Sequence, residues 1–324
     1  MKLRNVLLSS GLVVFSCLGL ASCNSEVSLK GEYQNLDGEV TEVEIKKTSD
    51  QEAVLDTLKY LAYKGENTAV DINIASINMK MHMDGSISSS KYNADLTTKL
   101  IANLYDNDFS IKVGGKISAA GKSQDMNMGI YCDGNYLYYN YMNQKYRLSA
   151  QALDSEYSEM LDKLKEIYDE SNLKSAFDFI GIKQNNGKSA FETIMDNETA
   201  VKDYISATNL TVSSVTNDYI YLTYNLNGDA ILRYCKENDQ AINGLDSINF
   251  ISEDDKMIFV IGYDTTYYYP SYININFNEA TSVLNAIGEN TISINSYTLE
   301  MWYSVNKDTV SKPSNLNEYS SYGF

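Results

Sequence analysis

Residues 79–83 read Met79-Lys80-Met81-His82-Met83, and this alternation decides the fold class. Successive side chains of an extended chain point to opposite faces, so three thioethers fall on one side and a lysine and a histidine on the other. The same period recurs at Phe109, Ile111 and Val113 and again at Met126, Met128 and Ile130. Between these runs stand Asp84-Gly85, Asp106-Asn107, Gly114-Gly115 and Asp133-Gly134-Asn135, whose residue types accept positive φ or cap their own turns. Strands separated only by tight turns are antiparallel neighbours, so residues 70–148 are expected to form a meander of five or six strands.

Outward from this meander the period becomes helical. Ser49-Asp50-Gln51-Glu52 matches a capping box, Val54, Leu55, Leu58, Leu61 and Ala62 follow on one stripe, and Gly65 can close this first helix. Tyr157, Met160, Leu161, Leu164, Ile167 and Tyr168 form the stripe of a second helix, with shorter helical segments expected over 173–182 and 189–207. Strand signals return over 210–215, 219–225, 247–251, 257–263, 272–277, 291–294 and 297–304. Helices are expected between them over 229–237 and 279–287, the latter capped by Asn278 and closed by Gly288.

Long antiparallel sheets with segregated helices define the α+β class. The expected arrangement is one large curved antiparallel sheet, a half-open barrel with helices covering one face, occupying residues 42–312 as a single domain. Two consecutive smaller α+β domains, split near 183–188, are the alternative. The polar stretch 313–324 is expected to be a frayed, flexible tail.

The N-terminus carries an address. Lys2 and Arg4 precede an uncharged apolar stretch from Val6 to Leu20, followed by Leu20-Ala21-Ser22-Cys23. A basic start, a short apolar core and small residues before a cysteine are the pattern of a bacterial lipoprotein signal peptide over 1–22. Cleavage between Ser22 and Cys23 is expected, with diacylglycerol on the Cys23 thiol and palmitate-type chains anchoring the protein to the outer face of the cell membrane. Two acyl chains anchor far more firmly than one, since each buried methylene contributes about 0.8 kcal/mol. Residues 23–41 then read as a lipidated start and polar tether.

The 324-residue chain has a formal net charge of -17, and without Lys2 and Arg4 its 24 basic against 43 acidic residues leave -19. That charge repels phosphates at long range and argues against nucleic acid as a partner. Of four cysteines, Cys17 leaves with the signal and Cys23 takes the lipid, so Cys132 and Cys235 form the candidate disulfide.

His82 is the only histidine, which argues against a Ser-His-Asp or Cys-His catalytic set and against a multi-histidine zinc site. No catalytic residue, metal site or cofactor is expected. Glu253-Asp254-Asp255 offers oxygen ligands but reads first as an acidic hairpin turn between apolar strands. The 27 tyrosines concentrate at Tyr136-Leu137-Tyr138-Tyr139, Tyr219-Ile220-Tyr221 and Tyr267-Tyr268-Tyr269, where strand propensity or an adhesive aromatic patch would explain them. Met79, Met81, Met83, Met126 and Met128 share one face of neighbouring strands, as core packing or as the candidate lining of a ligand cavity, because thioethers adapt to irregular shapes.

The lipobox, the helix near 51–63, the strand Met79-Lys80-Met81-His82-Met83, and Tyr131-Cys132-Asp133-Gly134-Asn135-Tyr136-Leu137-Tyr138 with its closing Lys145-Tyr146-Arg147-Leu148 together resemble the LolA/LppX-like lipoproteins, most clearly over 45–150. The resemblance implies a half-open antiparallel barrel closed by helices around an apolar cavity for acyl chains. It carries over no catalytic residue. The expected function is a non-enzymatic, membrane-anchored lipoprotein holding a lipid or other hydrophobic ligand; the alternative is a surface-recognition or adhesion module using exposed tyrosines.

Overall fold

A computed structural model describes residues 27–69, 71–87, 90–104, 106, 108–142, 144–149, 188–230, 232–233, 252–288 and 292–321. A hairpin of β1 (Leu29–Gln34) and β2 (Val40–Ile45) leads into α1 (Gln51–Asn67). Six strands follow: β3 (Ile74–Ile87), β4 (Ser90–Asn103), β5 (Asp108–Ala119), β6 (Lys122–Cys132), β7 (Tyr136–Tyr141) and β8 (Gln144–Ser149). Then come α2 (Ala190–Asp196), α3 (Glu198–Ala207), β9 (Thr211–Val215), β10 (Tyr219–Asn227), β11 (Lys256–Asp264), β12 (Pro270–Glu279), α4 (Thr281–Gly288), β13 (Ile292–Val305) and a two-residue β14 (Ser320–Ser321). The fold is α+β: open, large-scale antiparallel sheet with few helices, as the alternation predicts.

The chain divides into two compact units that interleave in sequence. One holds the described residues of Asp71–Asp169 and Thr291–Phe324, the other those of Cys17–Val70 and Glu170–Asn290. The division falls near 70 and 290, whereas the sequence reading expects a single domain over 42–312 or a consecutive split near 183–188. Its cause is β13, which returns to pair with β3 from Ile292 opposite Ile87 to Val305 opposite Ala75. Residues 183–187, the helices expected over 157–168 and 173–182, and the strand over 247–251 lie outside the described residues; the helix over 229–237 is described only in part.

In the first unit the strands lie in the order β14-β8-β7-β6-β5-β4-β3-β13. Six meander strands form over 74–149, but two of the four expected turns are not turns. β3 runs straight through Asp84-Gly85, with Gly85 opposite Tyr92 and so close to the Ser293 carbonyl that a Cβ would stand 2.2 Å from it. β5 likewise runs through Gly114-Gly115, where Gly115 has φ +139° and a Cβ would stand 2.1 Å from the Asp95 carbonyl oxygen. That glycine answers a close approach of the neighbouring backbone, not a reversal of its own.

Residues 313–321 do not fray. Tyr319 is buried against Tyr138 with its ring edge-on, Glu318 pairs with Lys145, and β14 runs parallel to β8. Apolar contact through Val310, Leu316 and Tyr319 explains why this polar segment docks.

In the second unit the order is β12-β11-β10-β9, with α1 against α2, α3 and the β1–β2 hairpin. Leu55, Leu58 and Leu61 of α1 are fully buried with Ile194, Ile220, Leu222 and Tyr263, so helices cover one face of this sheet. Each such side chain contributes about 2 kcal/mol on burial. The N-cap of α1 is Asp50 rather than Ser49: the Asp50 carboxylate accepts the Ala53 N–H at 3.0 Å. The expected tether over 23–41 is also corrected from Leu29 onward, because β1 pairs with β2 and buries Tyr33 against Phe191.

Candidate hydrophobic-ligand face

Directly opposed residues of an antiparallel ladder share a face, so the register assigns each side chain to a side. Met79 lies opposite Thr98 and Met301, Met81 opposite Leu96 and Leu299, and Met83 opposite Ala94 and Tyr297. Thr98 continues to Val113 and then Met128, while Leu96 continues to Gly115 and then Met126. All five sequence-predicted methionines therefore stand on one face of the first unit's sheet. Met301, Leu299 and Tyr297 extend it, a continuation that sequence reasoning missed although the alternation of Leu299, Met301 and Tyr303 carries the signal.

The face is graded in exposure. Met81 and Met128 are buried, whereas Met79, Met83 and Met126 remain half-buried. Met81 and Leu96 pack with Ile117 and Met126, and Met128 packs with Val113 and Ile111. Burial pushes the Tyr297 and Tyr303 phenols above their ordinary pKa, so both stay neutral through the physiological range. Apart from Thr98, the residues flanking Met79, Met81 and Met83 on this face carry no polar side chain smaller than a tyrosine, which suits an apolar guest.

The opposite face is polar around His82 and dry where Tyr131 and Tyr138 pack with Tyr319. His82 sits there half-buried, its Nδ1 2.9 Å from an Asp95 carboxylate oxygen. Ser22, Cys23 and Cys235 lie outside the described residues; Cys132 is buried in the first unit's core beside Phe109 and Leu137. Glu253-Asp254-Asp255 forms the expected turn, and Asp255 is turned inward to accept the N–H groups of Ser252 and of Ser282 in the first turn of α4. Among the described residues no three His, Cys, Asp or Glu side chains converge on a metal position.

The tyrosines mostly turn inward. Tyr269 is buried, and Tyr268 packs edge-on against Tyr60 with their hydroxyls 3.1 Å apart. Tyr219 and Tyr221 are half-buried, with Tyr221 edge-on to Tyr272. Among the described residues Tyr136 is the exposed tyrosine, under the Arg147 guanidinium.

No helix among the described residues is long and apolar enough to cross a membrane. No family model and no curated protein matches the chain. Among solved structures it is similar to the crystal structure of LprF from Mycobacterium bovis, at 10% identity and a TM-score of 0.28, covering 82% of this chain and 98% of that one.

Proposed function

We propose that this chain is a non-enzymatic extracytoplasmic lipoprotein that holds a lipid or other hydrophobic ligand against the methionine face of its first unit. The observation that carries the reading is the shared side of Met79, Met81, Met83, Met126 and Met128, continued by Met301 and Leu299. A row of thioethers follows the contour of acyl chains of different shape without a fixed cavity, because each has three rotatable bonds and a polarizable sulfur. Partial exposure at Met79, Met83 and Met126 leaves apolar surface for a guest to cover. The anchor is assigned to Cys23 by the lipobox, and it would hold the binding face at the membrane surface from which a lipid is taken. The reading also needs no general base, consistent with a sole histidine engaged by Asp95.

The test is titration with a fluorescent polyene fatty acid, using the chain from residue 24 onward. Saturable binding is expected, reduced at least tenfold by Met79→Asp with Met126→Asp, since tenfold corresponds to only about 1.4 kcal/mol and a carboxylate on an apolar contact costs more. Absence of saturable binding in the parent chain would refute the proposal.

A further inference from the structure

The polar face of the first unit's sheet carries a basin of about 430 Å³. It is built on two adjacent rungs. One passes from Trp302 of β13 through Asn78, Lys99, Lys112 and Gly129 to Asn140 of β7, each residue opposite the next. The other holds Lys80, Thr97, Gly114 and Asn127, again in register. We propose that this basin binds an acidic oligosaccharide.

The glycines argue first. Gly115 has a backbone reason to lack a side chain, but its neighbours on the polar face do not. At Gly129 a Cβ would meet nothing within 4 Å, and at Gly114 it would make ordinary contact with the Thr97 hydroxyl at 3.5 Å; neither has a positive φ. A glycine inside a strand weakens it, and it often marks a bulge, a tight bend or a place where a ligand or another backbone approaches closely. Both glycines lie on the floor of the basin.

The walls supply what a sugar needs. Trp302, the only tryptophan in the chain, stands at one end, its ring braced by the Lys80 ammonium 4.5 Å from the centroid. An indole offers apolar surface to the C–H side of a pyranose, while amides serve its hydroxyls. Asn78, Asn127 and Asn140 line the basin, and the Asn140 side-chain oxygen is buried with no hydrogen-bond partner among the described residues. A buried acceptor left unpaired costs about 1–3 kcal/mol, which a ligand hydroxyl recovers once the Asn140 amide turns toward the basin.

Charge selects acid groups. Three lysines meet here in a chain of net charge -17. Lys99 is 2.6 Å from Asp308 and Lys80 is 3.8 Å from Glu300, but exposed Lys112 forms no ion pair among the described residues. A cation without an ion pair among the described residues, beside amide groups, favours a carboxylate or sulfate on a polyhydroxylated ligand. Trp302 and Asn140 are five strand spacings apart, about 24 Å at roughly 4.8 Å each, a span for several linked sugars and not for one.

Trp302 makes the test direct, because any change in tryptophan emission reports from the wall of the basin. The chain from residue 24 onward is titrated with hexasaccharides of hyaluronan, alginate and polygalacturonate, and with inorganic triphosphate. Saturable emission change is expected with at least one hexasaccharide, weakening as salt rises. Gly129→Val should lower that affinity at least tenfold while leaving the melting temperature unchanged or higher, since valine suits a strand and its Cβ has nothing within 4 Å. Lys112→Gln should weaken binding without altering the fold. No saturable response to any of the three sugars, equal response to triphosphate, or parent-like binding by Gly129→Val would each overturn the proposal. Lipid capture on the methionine face is read separately by the fatty-acid titration, so the two fail independently.

Discussion

The two units bury the same alternating pattern in different materials. In the second unit the covered face of the sheet is made of Ile220, Leu222, Ile261 and Tyr263, closed by Leu55, Leu58 and Leu61 of α1. Among the described residues that core has no buried methionine. In the first unit Phe109, Ile111, Val113 and Leu137 fill one end of the apolar face, six methionines mark the other, and three of the five predicted thioethers stay half-buried. Branched and aromatic side chains with few rotamers specify one packing, whereas thioethers tolerate several. Helices hold the second unit's face in one packing, whereas under the proposed function the first unit's methionines adapt to a guest.

Substitutions at the two faces should differ in their cost. Leu58→Ala, at a fully buried site under the helices, should cost about 3 kcal/mol of unfolding free energy in a urea titration, transfer and cavity terms together. Met81→Ala should cost less, about 2 kcal/mol, because its thioether neighbours can shift into the space. Equal costs would remove the distinction between the two faces.

A smaller effect, about 1 kcal/mol, is expected for Asp308→Asn at neutral pH. The Lys99 hydrogen bond, aided by Ser76 and against partial burial, holds the Asp308 carboxyl below the usual carboxylate range. A depressed carboxyl stabilises the native state above its unfolded pKa, and that contribution is lost as pH falls through the lower native value. The parent and Asp308→Asn should therefore converge in stability at acid pH; a gap that stays constant with pH would point to packing instead. The smallest change is expected for Met79→Leu, near-isosteric and half-buried, which should shift stability by less than about 1 kcal/mol but alter ligand affinity if flexibility at that site matters.

The first unit's strands were legible because Met79, Met81 and Met83, or Phe109, Ile111 and Val113, declare their faces by local spacing. The helix of 51–67 was legible from its leucine stripe, with only its cap displaced by one residue. What stayed hidden depends on partners distant in sequence. Gly114-Gly115 reads as a turn because nothing local reveals that the Asp95 carbonyl crowds Gly115. The interleaved units follow from β13 finding β3 across more than two hundred residues, and no local period encodes that pairing. The polar basin is the extreme case: Trp302 and Asn140 share a rung only once six strands are in register.

The central claim is that the methionine face carries a hydrophobic guest, and native mass spectrometry with lipid extraction tests it most directly. The chain from residue 24 onward, which lacks the proposed lipidation site Cys23, is incubated with membrane lipids and purified. Reproducible adducts of lipid mass, lost in Met79→Asp with Met126→Asp, are the expected result. A clean mass without adducts in the parent chain, with no lipid in the extract, would contradict it.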